Sequence, residues 1–145
     1  MPDSEQSQID IKIVSHPRYA CVVRSAVEKA SQLFGMCDRD CGRIMLCVDE
    51  AITNVMRHGY KGATDKVIHV MLNPIEKEGQ KGIRIVIEDE ACDVDLASIK
   101  SQKSEEIRPG GLGVHIIYDV MDSVEYTSRE PEKGVRLEMI KYTSS

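Results

Sequence analysis

The chain has 145 residues, 30% of them charged, and a formal net charge of -5 at pH 7. That length suits one domain with a real core, and basic residues scattered through an acidic chain exclude a surface that holds nucleic acid by neutralising phosphates. No apolar run approaches the roughly 20 residues of a membrane helix, and the start MPDSEQSQID lacks the basic and apolar stretches of a signal peptide, so a cytoplasmic protein with no membrane contact is expected.

The alternation in IDIKIV, residues 9–14, predicts a first strand that His16-Pro17 stops. Over 18–34, apolar Cys21, Val22, Ala26, Ala30 and Leu33 recur at helical spacing, with Gly35 placed to end the helix. Asp38 offers an N-cap for a second helix through Ile44, Leu46, Cys47, Val48, Ala51, Ile52 and Val55, ending before Gly59. Two β-rich runs, 66–74 and 81–89, flank the polar EKEGQ as an antiparallel hairpin. A short helical candidate at 96–100 leads into the glycine-rich SQKSEEIRPGGLG, which reads as a loop, then a last helix over 114–121. Residues 123–128 and 135–142 alternate as strands around the turn REPEKG. The elements predict an α+β two-layer sandwich, a mixed, mostly antiparallel sheet covered by helices on one face, spanning 1–145 as a single domain.

Five cysteines, Cys21, Cys37, Cys41, Cys47 and Cys92, are an odd number in a chain able to fold without staples, so reduced thiols are expected. Cys37 and Cys41 form a C-x-x-x-C pair, but no second close pair completes a zinc set. Cys92, beside an acidic cluster, is either a redox reporter or a buried, inert thiol, and the second is expected.

On the second helix Glu50, Asn54, Arg57 and His58 fall at i, i+4, i+7 and i+8, along one stripe. An amide oxygen at Asn54 suits a hard cation such as magnesium, and a carboxylate one turn away suits orienting or deprotonating a hydroxyl; the same stripe is also what a solvated helix face looks like. Pro109-Gly110-Gly111-Leu112-Gly113 runs into a helix, where backbone N–H groups and the helix dipole can cradle phosphate, or where glycines make a plain turn. Asp89 is either a strand-terminal acid or an acceptor for an exocyclic amine such as adenine's.

The order of these signals is more specific than any one of them. Glu50-Ala51-Ile52-Thr53-Asn54-Val55-Met56-Arg57-His58-Gly59-Tyr60, then Asp89, then Gly110-Gly111-Leu112-Gly113, with Met121-Asp122-Ser123-Val124-Glu125-Tyr126 after the helix, resembles the anti-sigma factor serine/threonine kinases. These belong to the Bergerat-fold, GHKL-type ATPase superfamily, which also includes histidine kinases, gyrase and MutL. The resemblance reaches from the first strand to Gly134-Val135-Arg136-Leu137. It implies ATP and Mg2+ as cofactors, with Asn54 on the magnesium and Glu50 as general base towards the acceptor hydroxyl. It further implies Asp89 on the adenine amino group, the backbone of Gly110, Gly111, Leu112 and Gly113 against the phosphates, and 100–110 as a lid. Arg108, in that lid, either reaches the terminal phosphate or faces solvent. His58 is read as capping or packing the helix end.

The resemblance implies a partner switch: phosphorylation of a serine or threonine on a STAS-type anti-anti-sigma protein, an alternative sigma factor as the other partner, and a homodimer. The chain departs from the family pattern at Ala91 and Asp93, where glycines are usual, and at Val135, where a threonine hydroxyl commonly supports the adenine-binding acid. These departures favour an alternative, a nucleotide-binding or nucleotide-free interaction module with little kinase activity. A detached histidine-kinase ATP domain would need a phosphoacceptor histidine on a separate dimerisation helix, and none of His16, His58, His69 or His115 has that setting.

Overall fold

The computed structural model describes residues 7–92 and 112–143, with side chains of the last helix described from His115 onward. Strand β1 (Ile9–Val14) is followed by a 3-10 turn (Pro17–Tyr19), helix α1 (Ala20–Leu33), helix α2 (Asp38–Asn54) and a π-helical turn (Val55–Gly59). Strands β2 (Val67–Lys77) and β3 (Gln80–Asp89), helix α3 (Leu112–Val120), and strands β4 (Ser123–Ser128) and β5 (Val135–Tyr142) complete the described elements. The candidate helix at 96–100 and the loop at 100–110 lie outside them.

The sheet order is β1-β2-β3-β5-β4 and every pairing is antiparallel, so the expected α+β sandwich holds and its sheet is wholly antiparallel among the described residues. Strands joined by hairpins or returning from the helix layer need no parallel crossover in this order. Alternate residues of the strands, Ile68, Val70 and Leu72 with Ile83, Ile85, Ile87, Leu137 and Met139, face Val23, Val27, Ile44, Val48 and Ile52 of α1 and α2 in one buried core. The opposite face carries cross-strand polar pairs, a hydrogen bond between Asp10 and His69 and ion pairs of Arg84 with Glu138 and of Arg136 with Glu88 at 3.4 Å, as befits an antiparallel sheet open to water on one side.

Three expected boundaries or faces move. In α1 the buried residues are Ala20, Val23, Val27, Ala30 and Ser31, whereas Cys21, Val22 and Leu33 point outward, Leu33 with 71% of its surface exposed. Valines at 22 and 23 give two competing stripes, and packing against α2 selects the second. The helix does end at Gly35, where the Gly35 and Met36 N–H groups bond back to the Gln32 and Ser31 carbonyls at 3.1 and 3.0 Å, a Schellman closure. Cys37, not Asp38, is the N-cap of α2; Asp38 and Asp40 sit in its first turn, where negative charge opposes the helix dipole favourably. The β2–β3 hairpin is tighter than expected: Lys77 pairs with Gln80 around Glu78-Gly79, both at positive φ, a two-residue turn of the kind that matches strand twist. Pro74 is tolerated inside β2 because pairing with β1 ends at Leu72.

Candidate functional site

Asp89 closes β3 in phase with Ile85 and Ile87, so the alternation of the strand turns its carboxylate towards the helix layer. It is buried, with 7% of its surface exposed. Its Oδ1 accepts the backbone N–H of Ala91 at 2.9 Å and of Val135 at 3.3 Å, while Oδ2 has no hydrogen-bond partner among the described residues. Burial pushes the Asp89 carboxyl above its ordinary value, against the lowering effect of those two N–H groups and of Arg129. The result is a fixed acceptor with one free oxygen, suited to a ligand N–H donor.

Two of the three departures noted in the sequence lie among the described residues. Ala91 is buried beside Gly59, whose bare backbone leaves the methyl its room: a Cβ on Gly59 would stand 3.2 Å from that of Ala91. At Val135 the backbone N–H still reaches Asp89, with no side-chain donor beside it. The preceding Gly134 has φ of +111°, and a Cβ there would fall inside the carbonyl of Asp89, so β5 can run this close to the carboxylate only through glycine. Asp93 lies outside the described residues. Cys92, expected to be buried, is exposed.

Glu50 and Asn54 lie on α2, both half-buried, with Asn54 its last residue. Neither side chain has a partner among the described residues, so a carboxylate and an amide oxygen one turn apart are available to a ligand. The expected stripe stops there. At Val55 the helix widens into the π turn, closed by the Tyr60 N–H on the Val55 carbonyl at 2.7 Å. The extra residue per turn throws Arg57 and His58 off the α-helical phase, and both are exposed; Tyr60, not His58, finishes the helix.

The π turn and the end of β3 are joined. The Tyr60 hydroxyl accepts the Glu90 N–H at 2.7 Å and donates to the Val67 carbonyl at 2.5 Å. From the β4–β5 turn, Arg129 donates through Nη1 to the carbonyls of Asp89 at 2.8 Å and Lys133 at 2.9 Å. The ends of α2 and β3, and with them Asn54 and Asp89, are thus held at one end of the sandwich. A cavity of about 650 Å³ opens beside the joint, lined by Tyr60, Lys61, Lys66, Cys92, Arg129 and Lys133 among others. Glu50, Asn54 and Asp89 do not line it.

Helix α3 packs on α2, where the Cys47 thiol reaches the Ile116 carbonyl at 3.8 Å; burial, with Asp119 and Glu50 nearby, pushes that thiol up to about 12. Leu112 and Gly113 begin α3, so their backbone N–H groups are among the helix's unsatisfied donors. Arg108, Gly110 and Gly111 lie outside the described residues. Sequence reasoning missed Arg129, taken only as part of a turn, and the structural part of Tyr60; a cation and a phenol flanking two turns of the same site were the available signal.

A two-layer sandwich with a buried carboxylate at a strand end, and an amide and a carboxylate on a facing helix, is the framework that the motif order in the sequence leads one to expect. Comparison with known proteins agrees. Residues 13–141 match the histidine kinase-like ATPase domain family, and the chain belongs to that family. Serine-protein kinases RsbW of Staphylococcus aureus, from strains bovine RF122 / ET3-1 and MSSA476, are each 28% identical to it over 96% of this chain and 89% of theirs. Among solved structures, the SiaB-SiaC complex from Pseudomonas aeruginosa superposes with a TM-score of 0.62 at 11% identity, covering 96% of this chain and 90% of that one. The histidine kinase domain of the blue-light activated histidine kinase of Erythrobacter litoralis EL346 gives 0.53 at 17% identity, over 86% of this chain and 59% of that chain. These two share the fold. No helix among the described residues is long and apolar enough to cross a membrane.

Proposed function

We propose that this protein is a cytoplasmic serine/threonine protein kinase that binds ATP with Mg2+ and works in a partner switch. It phosphorylates a STAS-type anti-anti-sigma protein, holds an alternative sigma factor as its other partner, and acts as a homodimer. The observation that carries the reading is Asp89, buried, anchored through Oδ1 by two backbone N–H groups and free at Oδ2 among the described residues. Burying a carboxylate without a charge partner in contact is costly, and a ligand's amino group is the partner that would repay it.

ATP with magnesium supplies the phosphoryl group and the charge neutralisation that lets it transfer. The chain's own residues bind and orient. Asp89 accepts the adenine amine through Oδ2, Asn54 offers its amide oxygen to the cation, and the backbone of Gly110, Gly111, Leu112 and Gly113 lies against the phosphates, with Arg108 as a further donor. Glu50 orients the acceptor hydroxyl and takes its proton. Nothing covalent forms on the protein; positioning and electrostatics do the work. Glu50 and Asn54 together on α2 support a working site over a binding module alone.

The test is phosphotransfer from ATP to a STAS-domain protein encoded beside the gene. With magnesium, wild type should phosphorylate one serine or threonine, and Glu50→Gln should lose about 10²–10⁴ in rate while keeping its ATP affinity. Nucleotide binding without transfer to any such partner would select the binding-module reading. Full activity in Glu50→Gln would remove Glu50 from the chemistry.

A further inference from the structure

We propose that Tyr60 is a specificity-determining positioning residue: its hydroxyl, with Arg129, holds the Asp89 turn where the carboxylate can tell an amino-bearing base from one without the amine. The inference rests on the adenine-reading role given to Asp89 above.

The geometry is that of a missing rung. The β2–β3 ladder ends at the pair Ile68 and Asp89. One step on in the same register Glu90 would face Val67, but the ladder does not continue there and the Glu90 N–H needs another acceptor. The Tyr60 hydroxyl fills the gap, accepting from Glu90 and donating to Val67. One phenol therefore satisfies both strand ends at once, and it comes from the helix layer. On the far side the Asp89 carbonyl accepts from Arg129. The turn is gripped from two elements, and because Asp89 Oδ1 takes the N–H of Ala91 inside that same turn, the carboxylate moves only as the turn moves.

Tyr60 is itself fixed. It is 8% exposed and follows the π turn that begins immediately after Asn54. A single rigid segment thus spans from the amide on α2 to the turn that carries Asp89. Removing the hydroxyl leaves the Glu90 N–H and the Val67 carbonyl without their partner, and the turn is free to relax away from the carboxylate's set position. Burial raises the phenol's pKa, which keeps its proton available for donation at neutral pH.

The experiment is calorimetric titration of wild type, Tyr60→Phe and Ile85→Val with magnesium ATP and magnesium ITP, with melting curves for all three. ITP carries an oxo group in place of the exocyclic amine. Wild type should prefer ATP, because a site built to hydrogen-bond a group rejects the analogue that lacks it. Tyr60→Phe should cut the ATP-to-ITP ratio by about tenfold with ITP affinity little changed. Ile85→Val, which loosens the core away from the turn, should keep the wild-type ratio. A discriminating wild type whose ratio survives in Tyr60→Phe, or falls equally in Ile85→Val, overturns the role of Tyr60 while leaving that of Asp89 intact. A wild type that binds ATP and ITP equally overturns the reading of Asp89 and the clamp with it.

Discussion

Asp89 is a carboxylate held where ionisation is disfavoured, and that sets a trade between stability and binding. Its pKa is raised by burial from the ordinary 3.8. Folding therefore favours the protonated form, and the stability it contributes is fully present below that ordinary value and lost as pH rises through the higher folded one. Asn at this position does not titrate and keeps an oxygen for the Ala91 and Val135 N–H groups. Asp89→Asn should accordingly gain on wild type in melting temperature as pH is raised from 3.5 towards 7, while ATP affinity at pH 7 falls about tenfold or more. Melting curves across that range check the first part; a constant difference at all pH values would mean that the carboxylate is not under this strain. Gly134 is the second demanding residue. Its positive φ and the Asp89 carbonyl in the way of any Cβ predict that Gly134→Ala costs on the order of 3 kcal/mol in urea denaturation. A loss under 1 kcal/mol would show that β5 does not press on the turn as described. Neither residue's setting could be read from its neighbours in sequence: a strand-terminal acid and a glycine before a valine are ordinary until β3 and β5 are paired.

At the scale of elements, periodicity served where one face alone is apolar. Strands β1, β4 and β5 begin and end as their alternation predicts, because polar and apolar residues alternate through most of each. It failed in α1, where apolar residues offer two stripes and only the α2 surface decides. The difference is measurable. Val23 is fully buried and Val22 is 52% exposed, so Val23→Ala should cost about 2 kcal/mol and Val22→Ala less than 0.5 kcal/mol in equilibrium unfolding; the reverse order would restore the expected stripe. The π turn was likewise invisible. Helical spacing from Glu50 to His58 assumes 3.6 residues per turn, and the insertion at Val55 that breaks it is fixed by the Tyr60 contacts on β2 and β3, which are tertiary. What the spacing did convey was the pair Glu50 and Asn54, which the α-helix keeps together before the phase changes.

For the whole molecule, the recognition of the site came from the order of motifs along the chain more than from any of them, since a glutamate and asparagine on a helix, an acid after a strand and glycines before a helix are each common. The fold explains part of the order: α2 and the end of β3 meet at one end of the sandwich through the Tyr60 joint, and α3 packs on α2. A ligand spanning those three elements should stabilise the protein as a unit. At a hundred times its dissociation constant, magnesium ATP should add about 2.7 kcal/mol, raising the melting temperature by about 5–10 °C for a chain of this size, and EDTA should remove much of the shift. A shift untouched by EDTA would take the cation out of the binding.

The most direct measurement is a calorimetric titration of magnesium ATP into wild type, Asn54→Ala and Asp89→Asn at neutral pH. Binding by wild type that weakens about tenfold or more in each variant, with all three proteins folded, is the predicted result, since one ligand is held from both ends. A folded wild type that takes up no nucleotide, or variants that bind as wild type does, would contradict it.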